Sequence, residues 1–598
     1  MSLEPYLLRA GQGIDPWLRW IDEDSPPTQI PAPIQGYVDD VSTTSKTEPH
    51  LQEVARKTDS FANFTGTEVK HRKCAIQHGQ RTGNNWSKNS KTGDVKVTIQ
   101  NADLPVYDRD DSYPYLGYDI KIDTKSEQTT QLIADFVKTL DSIDSSLLPT
   151  SAKLEAINTM CMSKLNFYFP NLFFTEKELI ELEDQIVGYV RHWLCLNNSS
   201  TRCYFFTPKS KGGLGLLNPH VIYYAKHLQF YLDILNSDDL SVRHAARDSL
   251  KLHMTKRKCV TDTGDNSFAG YAVNDGKLVK QSKVCWSKSQ WVHLFEMCHR
   301  ENIQLRFRVQ SDKYVFVLNV DDDISFQFHD PKVFYARYKE TKMTQFKETW
   351  HSMMPQGRVA RESSEYVDYR NSSAFLGNHK VSDDLRSFVC RGRLQLLQCN
   401  SLLHLYYGVP KNCKLCNFHS DTASHLLNNC TKQKNLYQLR HDRIVDLVFT
   451  KIKAANNTQH RQVIKDCFVT PHAFGSQQTH FNDPHTRPDI LLINNDTKTA
   501  VIVEISVPFD AHMGKTYEHK FQKYFPLSLE ISQLGYSTKI VVLIVGSLGF
   551  VHSRFVSGLK LCGISRAEAK YLANYCSLSC TIGSHKAWKL RCKQLENN

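Results

Sequence analysis

The chain has 598 residues, too many for a single hydrophobic core, so several domains are expected. An apolar fraction of 41% and an aromatic fraction of 11% exclude wholesale disorder, and a net charge of +12 favours nucleic acid over an acidic small molecule as partner. Seventeen cysteines cannot all pair, which points to a reducing compartment where closely spaced cysteines bind metal.

In chain order, the first twenty residues show no basic region followed by an apolar stretch, so no secretory leader is expected. From 36 to about 120, short strands surround one helix: GYVDDVS, the helical LQEVARKTDSFANF, then KCAIQ, VKVTI and YLGYDI. The periodicity turns helical from about 127 to 236, as in LIADFVKTLDSIDSSLL and KELIELEDQIVGYVRHWLCL. Residues 250–385 mix a polar loop, a strand pair at YVFVLNV and ISFQF, and charged helix. Residues 386–407 read as a basic helix, a cysteine cluster follows at 413–430, and another helix runs near 436–452. The remainder alternates strands (ILLIN, AVIVEIS, KIVVLIVG) with helices at 517–534 and 565–575. Its apolar run 540–545 is too short to cross a bilayer. The pattern is multidomain, α+β in front and α/β at the end, with boundaries near 125, 250, 385 and 435.

The last block carries the sharpest chemistry. Arg487-Pro488-Asp489 opens a strand, Glu504 closes the next, and Asn494-Asn495-Asp496-Thr497-Lys498 between them is turn chemistry. If Asn494 and Thr499 flank the loop, antiparallel partners sum to 993, and Asp489 faces Glu504 on the same side of the ladder. Opposed like charges destabilise a hairpin by about 0.2–1 kcal/mol, more when buried. Among Ile490, Leu491, Val503 and Ile505 the pair needs compensation, and Mg²⁺ held by two carboxylate oxygens supplies it. A lysine is also expected in such a site. Position 506 is serine, so the following helix offers Lys520 and Lys523 on one face, with Tyr524 beside them.

Upstream, Cys413-x2-Cys416-x8-His425-x4-Cys430 has the ligand types and count for one tetrahedral Zn²⁺. Arg386, Arg391 and Arg393, followed by Lys411 and Lys414, form a candidate phosphate-contacting surface. Tyr406, Tyr407 and Phe418 could stack on unpaired bases, although core packing is the commoner fate of such residues. Near the front, Tyr37-Val38-Asp39-Asp40 has the setting of a strand–turn–strand hairpin whose aspartates face a metal pair. Thr65-Gly66-Thr67-Glu68, Lys73-Cys74, Tyr115-Leu116-Gly117 and Lys211-Gly212-Gly213-Leu214-Gly215 follow it.

The Asp489/Glu504 hairpin with lysines displaced to a helix resembles the PD-(D/E)xK nucleases, in particular the restriction-like endonuclease of site-specific non-long-terminal-repeat retrotransposons. The cysteine–histidine cluster resembles the knuckle that precedes that nuclease. Arg440-His441-Asp442 is similar to the family's arginine–histidine motif between the two. The Tyr37–Gly215 series resembles a reverse-transcriptase palm and the glycine-rich segment of its thumb, with Asp39 and Asp40 as polymerase carboxylates. The family's first catalytic aspartate has no counterpart strand before Tyr37, so DNA synthesis by this chain alone is not expected.

The resemblance covers about residues 14–240 and 385–580. It implies a partial palm (1–125), a helical thumb (126–250), a mixed linker (251–385), a basic helix with a CCHC knuckle (386–434) and a restriction-endonuclease-like domain (435–598). It further implies Zn²⁺ and Mg²⁺ as cofactors, genomic target DNA and element RNA as partners, no membrane, and a nuclear site of action after a cytoplasmic ribonucleoprotein stage. The expected activity is Mg²⁺-dependent nicking of DNA that primes reverse transcription, with Arg440 and His441 among the nucleic-acid contacts. The competing class is a non-catalytic nucleic-acid-binding protein.

Overall fold

The computed structural model describes residues 17–19, 28–30, 34–37, 40–43, 48–77, 81–82, 85–86, 96–107, 111–120, 128–256, 290–308, 311–319, 325–417, 420–457, 461–466 and 468–596. They gather into two units, each assembled from separated stretches of chain: 1–135, 165–174 and 223–338 in one, and 136–164, 175–222 and 339–598 in the other. Among the described residues, no helix is long and apolar enough to cross a membrane.

In the first unit, Ile34–Tyr37 and Asp40–Thr43 pair antiparallel with Tyr37 opposite Asp40, a hairpin closed by two residues. Asp39 lies in that loop, outside the described residues. The helix Glu48–Thr65 buries Val54 and Ala55, packs with Ile76 and Val97, and ends at Gly66, whose φ of 68° suits a left-handed cap. Tyr113–Tyr115 and Tyr118–Ile120 form a second hairpin, in which Leu116 and Gly117 both have positive φ. The expected strand pair is Lys313–Asn319 with Ser325–Phe328, joined by a third strand, Ile303–Arg308, that the mixed pattern of this region concealed.

The helices of this unit enclose two histidines. His227 lies 2.6 Å from the Phe169 carbonyl through Nδ1, and His293 lies 2.7 Å from the Tyr223 hydroxyl. Burial, then the neighbouring imidazole, pushes His227 down to about 3, and burial, then Arg300, pushes His293 down to about 4.

The second unit carries the C-terminal block. Its elements are α1 (Asp383–Arg393), α2 (Asn400–Tyr407), α3 (Lys434–Ala455), β1 (Arg461–Lys465), β2 (Ile490–Asn494), β3 (Thr499–Ser506), α4 (Met513–Gln533), β4 (Ser537–Ile544), α5 (Phe555–Leu561) and α6 (Arg566–Glu596). The sheet order is β1-β2-β3-β4, with β4 parallel to β3 and the other pairs antiparallel. Strand alternation sends Ile490, Leu492, Val503 and Ile505 to a core shared with α3, α5 and α6. Leu491, Ile493, Ala500 and Ile502 go to a second core under α4.

Two expectations change here. The basic helix over 386–407 is interrupted between α1 and α2, where Gln395 takes a positive φ of 56°. The last helix runs on well past 575, because Cys576, Ser577, Cys580, Thr581 and Ser584 are small enough to bury along its length. Gly583 lets it close on α3, since a Cβ there would lie 2.9 Å from Cγ of Arg440.

His227 and His293 make the first unit acid-labile. Their folded values lie below the unfolded value, so stability is complete above about pH 6.5 and falls as pH drops towards 4. Each histidine should cost on the order of 2–3 kcal/mol at pH 4.5. Denaturant-dependent amide exchange in the helix Pro219–Leu235 should show this loss between pH 7 and 4.5, and His227→Asn should halve it. Identical protection at both pH values contradicts the assignment.

Candidate functional site

Cys413 follows the turn after Gly408, a left-handed residue (φ 66°) that stops α2. Cys416 lies one turn further on, and His425 and Cys430 bracket a short wide-turn helix, His425–Asn429. The four ligand atoms lie within 4.8 Å of one another. Cys413 Sγ is 4.0 Å from Cys430 Sγ, and Cys416 Sγ is 3.4 Å from His425 Nε2. A tetrahedron with metal–sulfur bonds of 2.3 Å has edges of about 3.8 Å, close to both of these separations, so the cluster could hold a metal ion such as zinc. Backbone N–H groups of Leu415 and Cys416 point at the Cys413 sulfur, although burial, the larger effect, still raises that thiol.

At the sheet, Asn494 pairs with Thr499 and Ile490 with Val503, the register in which partners sum to 993. Asp489 stands one residue before β2, continuing the side of Leu491 and Ile493, and Glu504 shares that side with Ile502. Both carboxylates therefore face α4. Asp489 Oδ2 accepts from the Ile505 N–H at 2.6 Å, and Lys520 donates to Glu504 Oε1 at 2.6 Å. Glu504 is only 4% exposed. Its burial first, and the charge on Asp489 second, raise its pKa, while Lys520 opposes both.

The two helix lysines separate. Lys520 reaches the carboxylate, whereas Lys523 donates to the Tyr524 hydroxyl (3.0 Å), which in turn donates to the Arg487 carbonyl (3.0 Å). Burial raises the Tyr524 pKa, and Glu504 adds to it.

His441, expected as a nucleic-acid contact, turns inward instead: Nε2 lies 3.7 Å from Asp489 Oδ2 and 3.1 Å from the Ile505 carbonyl. Burial works against its charge, but Asp489, Asp442 and the Ile505 carbonyl together outweigh it and raise the imidazole to about 9.

A bracing of α4 that the sequence did not suggest holds the segment leading into Asp489. Pro526 sits inside α4. The next amide, Leu527 N–H, donates to buried Asp483 at 3.0 Å, while Glu530 accepts from Asn482 and Asp483 N–H, both at 2.8 Å. A proline within a helical pattern is the signal that could have found it.

The basic surface is corrected. Arg386 is fully buried and donates to Asp383 (2.6 Å), the Phe375 and Asn378 carbonyls and Ser151. Arg393 is buried between the rings of Phe375 and Phe550 and donates to the carbonyls of Ser372 and Leu548. Arg440, also buried, donates to the Leu427 carbonyl and to Ser584. None of the three meets a solvent-borne phosphate, because their donors close polar gaps inside the fold. Arg391 is half-buried, while Lys411, Lys414, Tyr406 and Tyr407 are exposed. Phe418 lies outside the described residues.

No family model matches this chain, and no curated protein matches it.

Purified protein is expected to carry about one equivalent of metal by elemental analysis, lost in Cys413→Ser; none in the unmodified chain refutes the cluster. Arg386→Ala is expected to lower the unfolding free energy by roughly 2–4 kcal/mol, since it strands buried acceptors. Lys414→Ala should stay within about 0.5 kcal/mol of the parent. Equal stability of the two variants contradicts the burial assignment.

Proposed function

We propose that this chain is a retroelement protein whose C-terminal α/β block is a Mg²⁺-dependent DNA endonuclease, nicking target DNA to prime reverse transcription of element RNA. The observation that carries the reading is the arrangement at the sheet: a buried glutamate beside Asp489 on one face, with the Lys520 ammonium 2.6 Å from its carboxylate. Structural ion pairs usually avoid a second buried acid. Here Asp489 works against the charged form of Glu504, a conflict that a cation between them relieves.

The donor set fits the ion. Asp489 and Glu504 offer only hard oxygen ligands, and the Ile505 N–H and His441 hold Asp489 in position. When bound, Mg²⁺ lowers the pKa of a coordinated water and offsets charge on the phosphate. Lys520 brings a positive charge to the same face, suited to orienting a water or meeting a phosphate oxygen. Tyr524, locked between Lys523 and the Arg487 carbonyl, keeps the α4 face in register with the segment leading into Asp489.

The metal cluster at 413–430, read as a zinc knuckle, supports the reading by its order in the chain, immediately before this block. Exposed Lys411 and Lys414 beside it suit phosphate contacts. A non-catalytic nucleic-acid-binding protein is the competing reading, and it has no use for a buried glutamate held beside a second, half-buried carboxylate and a lysine.

Supercoiled plasmid is the test substrate. The protein with Mg²⁺ should convert it to nicked circles, and Asp489→Ala should slow this at least about 100-fold while DNA binding in EDTA is kept. Lys520→Ala should slow nicking with little change in KM. Nicking by Asp489→Ala at the parent rate removes the pair from the chemistry.

A further inference from the structure

The segment between the last two candidate ligands of the cysteine–histidine cluster reaches the strand that carries Glu504. His425 and Cys430 bracket it, so an ion bound by both fixes the segment at its two ends. From between them, Asn428 donates to the Val507 carbonyl at 2.7 Å.

Val507 lies just past β3, in the stretch that leads on to α4 and Lys520. Four successive carbonyls there are each met by a different group. His441 Nε2 lies 3.1 Å from that of Ile505, and the Val545 N–H donates to that of Ser506 at 3.2 Å. Asn428 holds Val507, and the Ser547 N–H donates to the Pro508 carbonyl at 2.8 Å. The second and fourth bonds are backbone bonds that most sequences would make. The first and third come from side chains, and both lead back to the cluster. Asn428 lies inside it, and Arg440, the neighbour of His441 on α3, donates to the Leu427 carbonyl at 2.9 Å.

Packing alone does not account for Asn428. Its Nδ2 makes this hydrogen bond, while its Oδ1 is buried with no partner among the described residues. An unmet buried acceptor offsets what one amide bond contributes, so leucine, of similar size, would serve stability as well. What the amide adds is position: it fixes where residue 507 sits relative to residues 425–430.

We propose that Asn428 is a positioning residue through which ion binding at Cys413–Cys430 holds the exit from β3 and so sets the affinity of the Asp489–Glu504 pair for its divalent cation. With the ion in place the segment is rigid, and Glu504 keeps its register with Asp489 and Lys520. Without it the ends of the segment loosen, Val507 is released, and the two carboxylates lose their spacing. The coupling is reciprocal: a cation on the pair tightens the ion in the cluster by the same factor. The inference rests on the endonuclease reading for the cation at the pair.

The test uses the full chain without DNA. The probe is Mn²⁺, which carboxylate sites accept and whose free form electron paramagnetic resonance counts. The zinc-loaded parent is expected to bind Mn²⁺ at the pair, and Asp489→Ala to lose it. Asn428→Leu should keep its zinc yet bind Mn²⁺ about tenfold more weakly. Stripping zinc from the parent should weaken Mn²⁺ by the same factor, and stripping it from Asn428→Leu should weaken it no further. Amide exchange at residues 504–507 should quicken on either change while α5 stays as it was, a readout that needs no cation at the pair. A parent that takes up no zinc, or an equal loss of Mn²⁺ on stripping zinc from both proteins, overturns the coupling. Mn²⁺ held through Asp489 but indifferent to zinc and to Asn428→Leu overturns it too, and keeps the endonuclease reading. Absence of Asp489-dependent Mn²⁺ binding, with zinc-dependent exchange at 504–507, rejects the endonuclease reading and keeps the link from cluster to strand.

Discussion

The C-terminal block is organised around one unfavourable arrangement: two carboxylates on the same side of a hairpin, with Glu504 almost wholly out of water. Left alone, such a pair protonates or splays apart. Here the surroundings oppose both outcomes. The Ile505 amide and His441 hold Asp489, Lys520 holds Glu504, and α4 is braced through Asp483, Glu530 and Tyr524 onto the segment that delivers Asp489. A half-buried and a buried carboxylate held together in this way mark a candidate functional site, which is the footing of the endonuclease proposal.

Charge is distributed in a way that net composition hides. Part of the chain's basic excess never reaches solvent, because Arg386, Arg393 and Arg440 are interior ties. Arg386 ties the Phe375 and Asn378 carbonyls, Arg393 those of Ser372 and Leu548, and Arg440 the Leu427 carbonyl and the Ser584 hydroxyl. Guanidinium suits this work, with five donors in a rigid plane and aromatic rings accepted on its faces. The exposed positive charge is correspondingly smaller than the composition suggests, and includes Lys411, Lys414 and Lys515.

How much was legible follows from the range of each interaction. The β2–β3 register could be read because turn chemistry at 494–498 and strict alternation are local, and together they put Asp489 and Glu504 on one face. The metal cluster was legible for the same reason, its four ligands lying within eighteen residues. Which lysine serves Glu504 was not, since Lys520 and Lys523 share a helix face and only the approach of α4 to β3 separates them. The inward turn of Arg386, Arg393 and His441 depends on partners far along the chain, from Ser151 to Leu548. The break at Gln395 has only Gly392 ahead of it, a single glycine that a helical pattern tolerates, and α6 runs past 575 on small residues that show no apolar periodicity and pack against α3.

His441 shows why a motif and its function need not coincide. As neighbours on α3, Arg440 and His441 point in directions about 100° apart, so they cannot serve one surface. Arg440 reaches back to the Leu427 carbonyl, inside the segment that carries His425 and Cys430, while His441 reaches forward to Asp489 and the Ile505 carbonyl. Asn428 closes the circuit by donating to the Val507 carbonyl at 2.7 Å, just beyond β3. The cysteine–histidine cluster and the carboxylate face therefore hang on the same first turns of α3. A shift in residues 425–430 large enough to break these bonds would move the backbone that follows Glu504. What reads in sequence as a nucleic-acid contact is, in three dimensions, the joint that fixes the distance between two candidate metal sites.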